Sequence, residues 1–462
     1  MIAVNSSGKP NLSVLQITLI VALGGLLMGY DAATVATSQM YFTQYFGFTP
    51  VQQGWVISSA GYGCFLGAIS AGYLTSALSR KYTLIVAAVL YIISAVGSGV
   101  ADSLSILVGY RIILGLSIGM IAMTSPMYIA EISPSSIRGK MVTYHQLAMV
   151  IGFILPFMVS FLINTGDISH SDRVAYGWRL MFWTEIVPAV IFFVLLFYIP
   201  HSPRWLMLKQ RNQDAKKVLN KLVENKNEAQ SEYELIAKSL AETKAPSRKL
   251  LFKNGLGYAL FLGIMLAIFQ QATGIVAILI YSGEIFSQAL GYDPKQALMP
   301  QLWVGIVNLI FTFVAIYKVD SWGRKPLLIG GTLGMFFGLS VLALSVYTQQ
   351  EGLLSLIGVL VFVGAFAMSM GPVVWVILAE IFPNNVRSLA MSITIGAQCL
   401  TSALVTNGFP ILHKSHFNTL NFNGALPYFL FASVCIIAIL FVWRLVPETK
   451  GKSLEEMEQI WR

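Results

Sequence analysis

An apolar run of about 20 residues is the length of helix that crosses a bilayer, and in this sequence such runs recur from end to end. Twelve can be drawn, at 15–36, 53–75, 82–100, 104–130, 142–164, 180–199, 255–288, 299–319, 326–347, 352–380, 388–412 and 426–445. Each is too long and too apolar for a barrel strand. Backbone groups in lipid must bond within their own segment, so the expected fold is an all-α membrane protein with twelve transmembrane helices. With 56% hydrophobic and 11% charged residues and a mean hydropathy of +0.70, an ordinary soluble enzyme is excluded. The opening MIAVNSSGKP has one basic residue and the first apolar run continues as a full span, so no cleavable leader is expected.

A formal net charge of +9 raises the possibility of a nucleic-acid partner, but the placement of the charge argues against one. Arg80, Lys81, Arg138, Lys140, the basic run from Arg204 to Lys226, Lys318, Arg324, Lys325, Arg387, Lys450 and Lys452 fall in alternate loops or in the C-terminal tail. The other loops hold Arg173, Lys295 and Lys414. That asymmetry predicts cytoplasmic termini and a cytoplasmic central loop. Short outer loops without an N-x-S/T site point to a cell membrane of the bacterial inner-membrane kind. Cys64, Cys399 and Cys435 all lie in predicted spans, so neither a disulfide framework nor a zinc site is expected. His413 and His416 have no third ligand nearby in sequence, so no metal is expected there either.

The chain echoes itself. AEISPSSIRG at 130–139 returns as AEIFPNNVRS at 379–388, after the fourth and the tenth spans. LSRKYTL at 78–84 returns as WGRKPLL at 322–328, after the second and the eighth. A parallel repeat of this kind predicts two six-helix halves facing each other across a central cavity. The expected division is 1–200 for the first half, 201–254 for a cytoplasmic helical linker, 255–446 for the second half and 447–462 for a tail. The linker segments carry apolar residues at about 3-to-4 spacing among charges, as short amphipathic helices do. A solvated connector and a latch between the halves both fit that pattern. Pro134 and Pro383 should end the helix after each repeated glutamate, leaving Arg138 and Arg387 in the following turn.

With GYD at 29–31, GYRIILGLSIG at 109–119, PMYIAEISPSSIRG at 126–139, GWR at 177–179, SPRWL at 202–206, QQATGI at 270–275, DSWGRK at 320–325, GPVVWVILAEIFP at 371–383 and PETKGKSLEE at 447–456, the chain resembles the sugar porter family of the major facilitator superfamily over nearly its whole length. The resemblance implies alternating access, in which two halves rock around a central site. It also implies a cytoplasmic lock made of Arg80, Glu131 and Arg138 in the first half and of Arg324, Glu380 and Arg387 in the second. The first loop motif departs from the family pattern at Ser76 and Ser79, where an acid and a glycine are usual. His201 stands where the family has a glutamate, which removes another expected ion pair.

A sugar entering a membrane cavity must exchange water for amides, whose donors and acceptors match hydroxyls, and for an aromatic surface. The candidates are Gln146, Gln270, Gln271, Asn308 and Gln398, with Trp375 as the ring surface. By resemblance, all of these except Asn308 match sugar-contacting positions. A single glutamine can equally serve as an interhelical hydrogen bond, worth about 0.6 kcal/mol. Val276, Ile280, Cys399 and Met28 replace an asparagine, a tyrosine, a tryptophan and another aromatic of the family pattern, which predicts a roomier and less polar pocket.

Three ionisable residues interrupt the spans of the first half: Asp31, Arg111 and Glu185. Such residues usually pair or face a watery path. A rocking motion that changes the Asp31–Arg111 distance would link proton binding to conformation, and by resemblance Asp31 carries the proton. A static pair that only fixes packing is the alternative. The expectation is proton-coupled symport of a small polyhydroxylated solute, a monosaccharide or polyol, by a monomer with no cofactor or metal beyond the coupling H+. A downhill uniporter and a transporter-like sugar sensor are the other readings. No nucleophile–base pair suggests an enzyme.

Overall fold

The computed structural model describes residues 13–134, 137–165, 170–222, 226–241, 256–290, 298–350, 352–382 and 386–450. The first half comprises α1 (Val14–Phe46), α2 (Pro50–Ala77), α3 (Arg80–Val100), α4 (Leu104–Ile132) and α5 (Arg138–Thr165). Its sixth span is assembled from pieces: a short α6 (His170–Asp172), a π-helical turn over Arg173–Gly177, α7 (Trp178–Thr184) and α8 (Ile186–Leu196). Between the halves lie α9 (Pro203–Leu208), α10 (Asn212–Leu222) and α11 (Lys226–Ala241). The second half begins with α12 (Leu256–Ala272), α13 (Ile275–Leu290), α14 (Leu298–Trp322) and α15 (Arg324–Tyr347). It ends with α16 (Leu353–Met368), α17 (Met370–Ile381), α18 (Arg387–His413), α19 (His416–Phe422) and α20 (Leu426–Leu445).

Local sequence explains the element ends. Ser13 and Thr49 cap α1 and α2 in reciprocal boxes with Gln16 and Gln52, and Gly47 closes α1 in the left-handed region at φ 65°. Among the described residues, 11 stretches are long and apolar enough to cross a membrane. The 28-residue α2 is not one of them. Its glycines, serines and glutamines dilute it, yet it has the length to span about 40 Å and is gripped on both sides by α4 and α18. The small residues that lower its hydropathy are what permit this packing. A Cβ on Gly63 or Gly67 would collide with the α4 backbone at Ile112 or Leu116, and one on Gly115 or Gly119 with α2 at Ala60 or Cys64. Two small-xxx-small stripes thus let the backbones touch.

The repeat in sequence is a repeat in packing. α1 packs on α5 as α12 packs on α18; α2 packs on α4 as α14 packs on α16; α3 packs on α8 as α15 packs on α20. The halves meet along α2–α18 and α5–α14. Side chains such as Leu162, Val187, Leu353, Leu440 and Trp443 form an exposed apolar exterior that suits lipid.

Three expectations need correction. Arg138 and Arg387 do not sit in turns; each is the first residue of the next helix, α5 and α18. Pro134 does end its helix, since α4 stops at Ile132 with Ser133 extended, whereas Pro383 lies outside the described residues. The predicted seventh and tenth spans are discontinuous. The seventh breaks at Thr273–Gly274, where Gly274 takes φ +84°, and the tenth breaks at Ser369. Finally, Cys64 of α2 and Cys399 of α18 are disulfide-bonded, with Cα atoms 5.6 Å apart, joining the halves. Span membership could not reveal this, because the pairing depends on the contact of α2 with α18 across 335 residues.

Candidate functional site: a cavity between the halves

The two helix breaks face each other at the molecular centre. From the last turn of α12, Gln270 donates through Nε2 to the carbonyls of Met370 (2.8 Å) and Gly371 (3.1 Å), just past the break that starts α17. Its Oε1 accepts from Gln271 Nε2 at 3.4 Å and from Gln398 Nε2. Beside this cluster is a cavity of about 230 Å³. All six predicted solute-binding residues line it: Gln146, Gln270, Gln271, Asn308, Trp375 and Gln398. They arrive on α5, α12, α14, α17 and α18, so both halves contribute. Gln271 Oε1 and Asn308 Oδ1 are buried with no protein partner. Trp375 packs edge-on against the imidazole of His145, with centroids 6.1 Å apart. Met28, Val276, Ile280 and Cys399 line the same cavity. Tyr281 does not: its hydroxyl donates to Thr406 O (3.3 Å) and its ring stacks on Phe409.

The three intramembrane charges converge as the spans predicted. Asp31 of α1 forms a bidentate ion pair with Arg111 of α4, both side chains nearly buried and both on the cavity wall. Arg111 also lies 6.0 Å from the Phe182 ring centroid. Glu185, in the turn between α7 and α8, is fully buried close to this pair, with Thr34 and Tyr91 beside it. Neither of its carboxylate oxygens makes a hydrogen bond of acceptable geometry. An ionised carboxyl is expensive in such a place.

At the basic-loop end, each half holds a glutamate against an arginine. Arg80 Nε and Nη2 donate to Glu131 Oε1 at 3.2 and 2.7 Å, and Ser202 Oγ donates to Glu131 Oε2. Arg324 Nη2 donates to Glu380 Oε1 at 2.9 Å, and Thr449 Oγ1 to Glu380 Oε2 at 2.7 Å. Arg80 and Arg324 each also reach a carbonyl at the end of the preceding helix, Thr75 O and Val319 O, both at 3.2 Å. Arg138 and Arg387 donate to the carbonyls of Ala130 and Phe382 and, with Glu131, border a small cavity shared by the halves. At the opposite end, Gln39 of α1 donates to Ile280 O of α13 at 2.7 Å, so the halves are in contact there too.

Residues 17–461 match the family model described as "Sugar (and other) transporter". The chain belongs to the sugar transporter family. It is 38% identical to the D-xylose-proton symporter of Escherichia coli (strain K12), over 97% of this chain and 96% of that one. It is 34% identical to the glucose facilitated diffusion protein of Zymomonas mobilis, covering 97% and 98%. The structure of the proton:xylose symporter bound to 6-bromo-6-deoxy-D-glucose superposes with a TM-score of 0.88 at 38% identity, covering 97% of this chain and 99% of that one. Its inward-open conformation matches less well, at 0.79 with 37% identity and coverage of 97% and 100%. The major facilitator fold and the transporter class follow.

Sequence reasoning missed Ser202 and Thr449, the hydroxyls that complete the two glutamate sites. A signal was present: PHS at 200–202 and PET at 447–449 each follow the last span of a half. It also missed Gln39, which lies just beyond the first apolar run as drawn, where α1 continues to Phe46.

Proposed function

We propose that this transporter couples proton entry to uptake of a small polyhydroxylated solute, a monosaccharide or polyol, by alternating access. The observation that carries the reading is the buried Asp31–Arg111 pair on the cavity wall with Glu185 beside it. A solute and a proton can then be sensed at one place. Protonating Asp31 releases Arg111 and frees α1 to move against α4; Glu185 is placed to take up or pass on the proton. The naming of relatives as D-xylose-, arabinose- and galactose-proton symporters supports it. One charge moving down 100 mV releases about 2.3 kcal/mol, enough for roughly 50-fold accumulation.

In this scheme Gln146, Gln270, Gln271, Asn308, Trp375 and Gln398 bind the solute. The Glu131 and Glu380 sites, with Arg80, Arg138, Arg324 and Arg387, close the cytoplasmic side. The division at 1–200, 201–254, 255–446 and 447–462 separates rocking halves, linker and tail, although part of the linker and most of the tail lie outside the described residues. The basic loops support cytoplasmic termini, and the short outer loops support a bacterial inner membrane. One chain supplies residues of both halves to the cavity, which supports function as a monomer with H+ as the coupling ion.

The test is purified protein in liposomes with a pH dye and a panel of sugars and polyols. Solute addition should alkalinise the outside, and an imposed proton gradient should drive accumulation. Asp31→Asn should abolish accumulation, by more than about tenfold, while retaining exchange of solute; normal accumulation by that variant would assign Asp31 a structural role. A facilitator is the second reading, favoured by the similarity to the glucose facilitated diffusion protein. It would give uptake with no pH change.

A further inference from the structure

The cavity has two unlike walls. On the amide wall, Gln270 is committed to protein partners on both its nitrogen and its oxygen. Gln271 Oε1 and Asn308 Oδ1 are buried acceptors with no donor among the described residues. A buried acceptor left unpaired is costly, so these two oxygens suit O–H or N–H donors of an entering solute once it displaces water. The second wall is formed by α13 and by the Met28 end of the neighbouring α1, whose Asp31 lines the cavity separately. Val276, Leu279 and Ile280 of α13 line the cavity at positions i, i+3 and i+4, one face of a helix, and Met28 of α1 joins them. None of these four side chains can donate or accept a hydrogen bond of useful strength.

A hexose presents hydroxyls all round its ring and a hydroxymethyl arm that projects beyond it. Turned toward the α13 stripe, that arm would surrender its water for no partner. A methyl group in its place loses nothing and covers aliphatic surface, while a pentose leaves that surface bare. We propose that the cargo is a 6-deoxyhexose, with ring hydroxyls on Gln271 and Asn308 and its C6 methyl against Val276, Leu279 and Ile280. This inference rests on the sugar-transport reading above and sharpens it from polyhydroxylated solutes in general to those with one apolar end. It also gives the stripe a purpose: the wall selects against the hydroxyl that distinguishes common hexoses from their deoxy counterparts.

The experiment measures affinity of the purified full-length protein for matched sugars by ligand-induced thermal shift. The pairs are D-quinovose with D-glucose, D-fucose with D-galactose, and L-rhamnose with L-mannose, with D-xylose as the pentose. In the pair that binds best, the 6-deoxy sugar should bind roughly tenfold more tightly than its parent and more tightly than D-xylose, the effect of one unpaired buried hydroxyl. Val276→Asn should bring the parent to within about twofold of the deoxy sugar, because it supplies the missing partner. A parent hexose or D-xylose binding as well as the best 6-deoxy sugar overturns the inference and leaves sugar transport standing. Binding of none of the seven sugars overturns this inference and leaves the transport reading to the wider liposome panel of sugars and polyols. If Val276→Asn fails to fold, the wild-type pairs decide the matter alone.

Discussion

In the second half of the molecule, Glu448 accepts the backbone N–H groups of Arg324 (2.9 Å) and Lys325 (3.0 Å) at the start of α15. At the corresponding place in the first half stands His201, whose Nδ1 is hydrogen-bonded to Ser79 Oγ at 3.1 Å. The residue before the helix also differs. Gly323 takes φ +93°, where glycine is at ease; Ser79 takes φ +104°, where a side chain is strained. Ser79 offsets part of this by capping α3 through Tyr82 N. One copy of the motif thus anchors its helix with a carboxylate on the positive end of the dipole, the other with a strained serine and a histidine. The glutamate sites run the other way. Glu131 is more deeply buried than Glu380, with side chains 2% and 18% exposed. Two repeats can reach the same closed shape with their binding strength placed at different points, so the halves need not respond equally to the same perturbation.

That comparison can be broken most forcefully at the buried pairs. Glu131→Gln leaves Arg80 buried without its counter-charge, at a cost of about 3–5 kcal/mol to the closed state. Glu380→Gln, at a wetter site, should cost less than half as much. Cysteine accessibility from the basic-loop side and thermal denaturation both report the difference, and equal losses would remove the asymmetry. A smaller effect concerns acid. Burial pushes the Glu448 carboxyl up, but backbone N–H bonds from Arg324, Lys450 and Lys325, with the Arg324 charge, outweigh it and hold the group below its ordinary value. A lowered carboxyl contributes stability above its unfolded pKa and loses it as pH falls through the folded value. Acidification below about pH 4 should therefore lower the melting temperature of the wild type more than that of Glu448→Gln. His201→Glu should give the first half a similar acid response. The smallest change is Ser79→Gly, which relieves strain but gives up a cap, for a net gain of about 0.5–1 kcal/mol in denaturation; a loss would show that the cap outweighs the strain.

How much of this was legible depends on what each signal measures. Apolar runs report lipid, so the spans could be read closely, but they say nothing of backbone continuity within a run. The breaks at Gly274 and Ser369 therefore escaped, although QQATGI contains the glycine. Polar residues in apolar surroundings report a need for partners, and Asp31, Arg111, Gln270 and Gln398 were found on that ground. Glu185 was found the same way, yet its closeness to Thr34, Tyr91 and the Asp31–Arg111 pair belongs to packing and has no trace in sequence. The departures at Met28, Val276 and Ile280 were visible one by one. That they share a cavity, and that Val276, Leu279 and Ile280 form one face, required the fold.

The Cys64–Cys399 bridge lies near the middle of both α2 and α18, at about half the depth of the bundle. A fastening at either rim would hold one mouth of the cavity shut. A fastening at half-depth acts as the pin of a seesaw: the two ends of each half can swing in opposite senses about it, while sliding and separation are forbidden. The bridge thereby keeps the halves together at that depth and leaves free the tilting that opens one mouth as it closes the other.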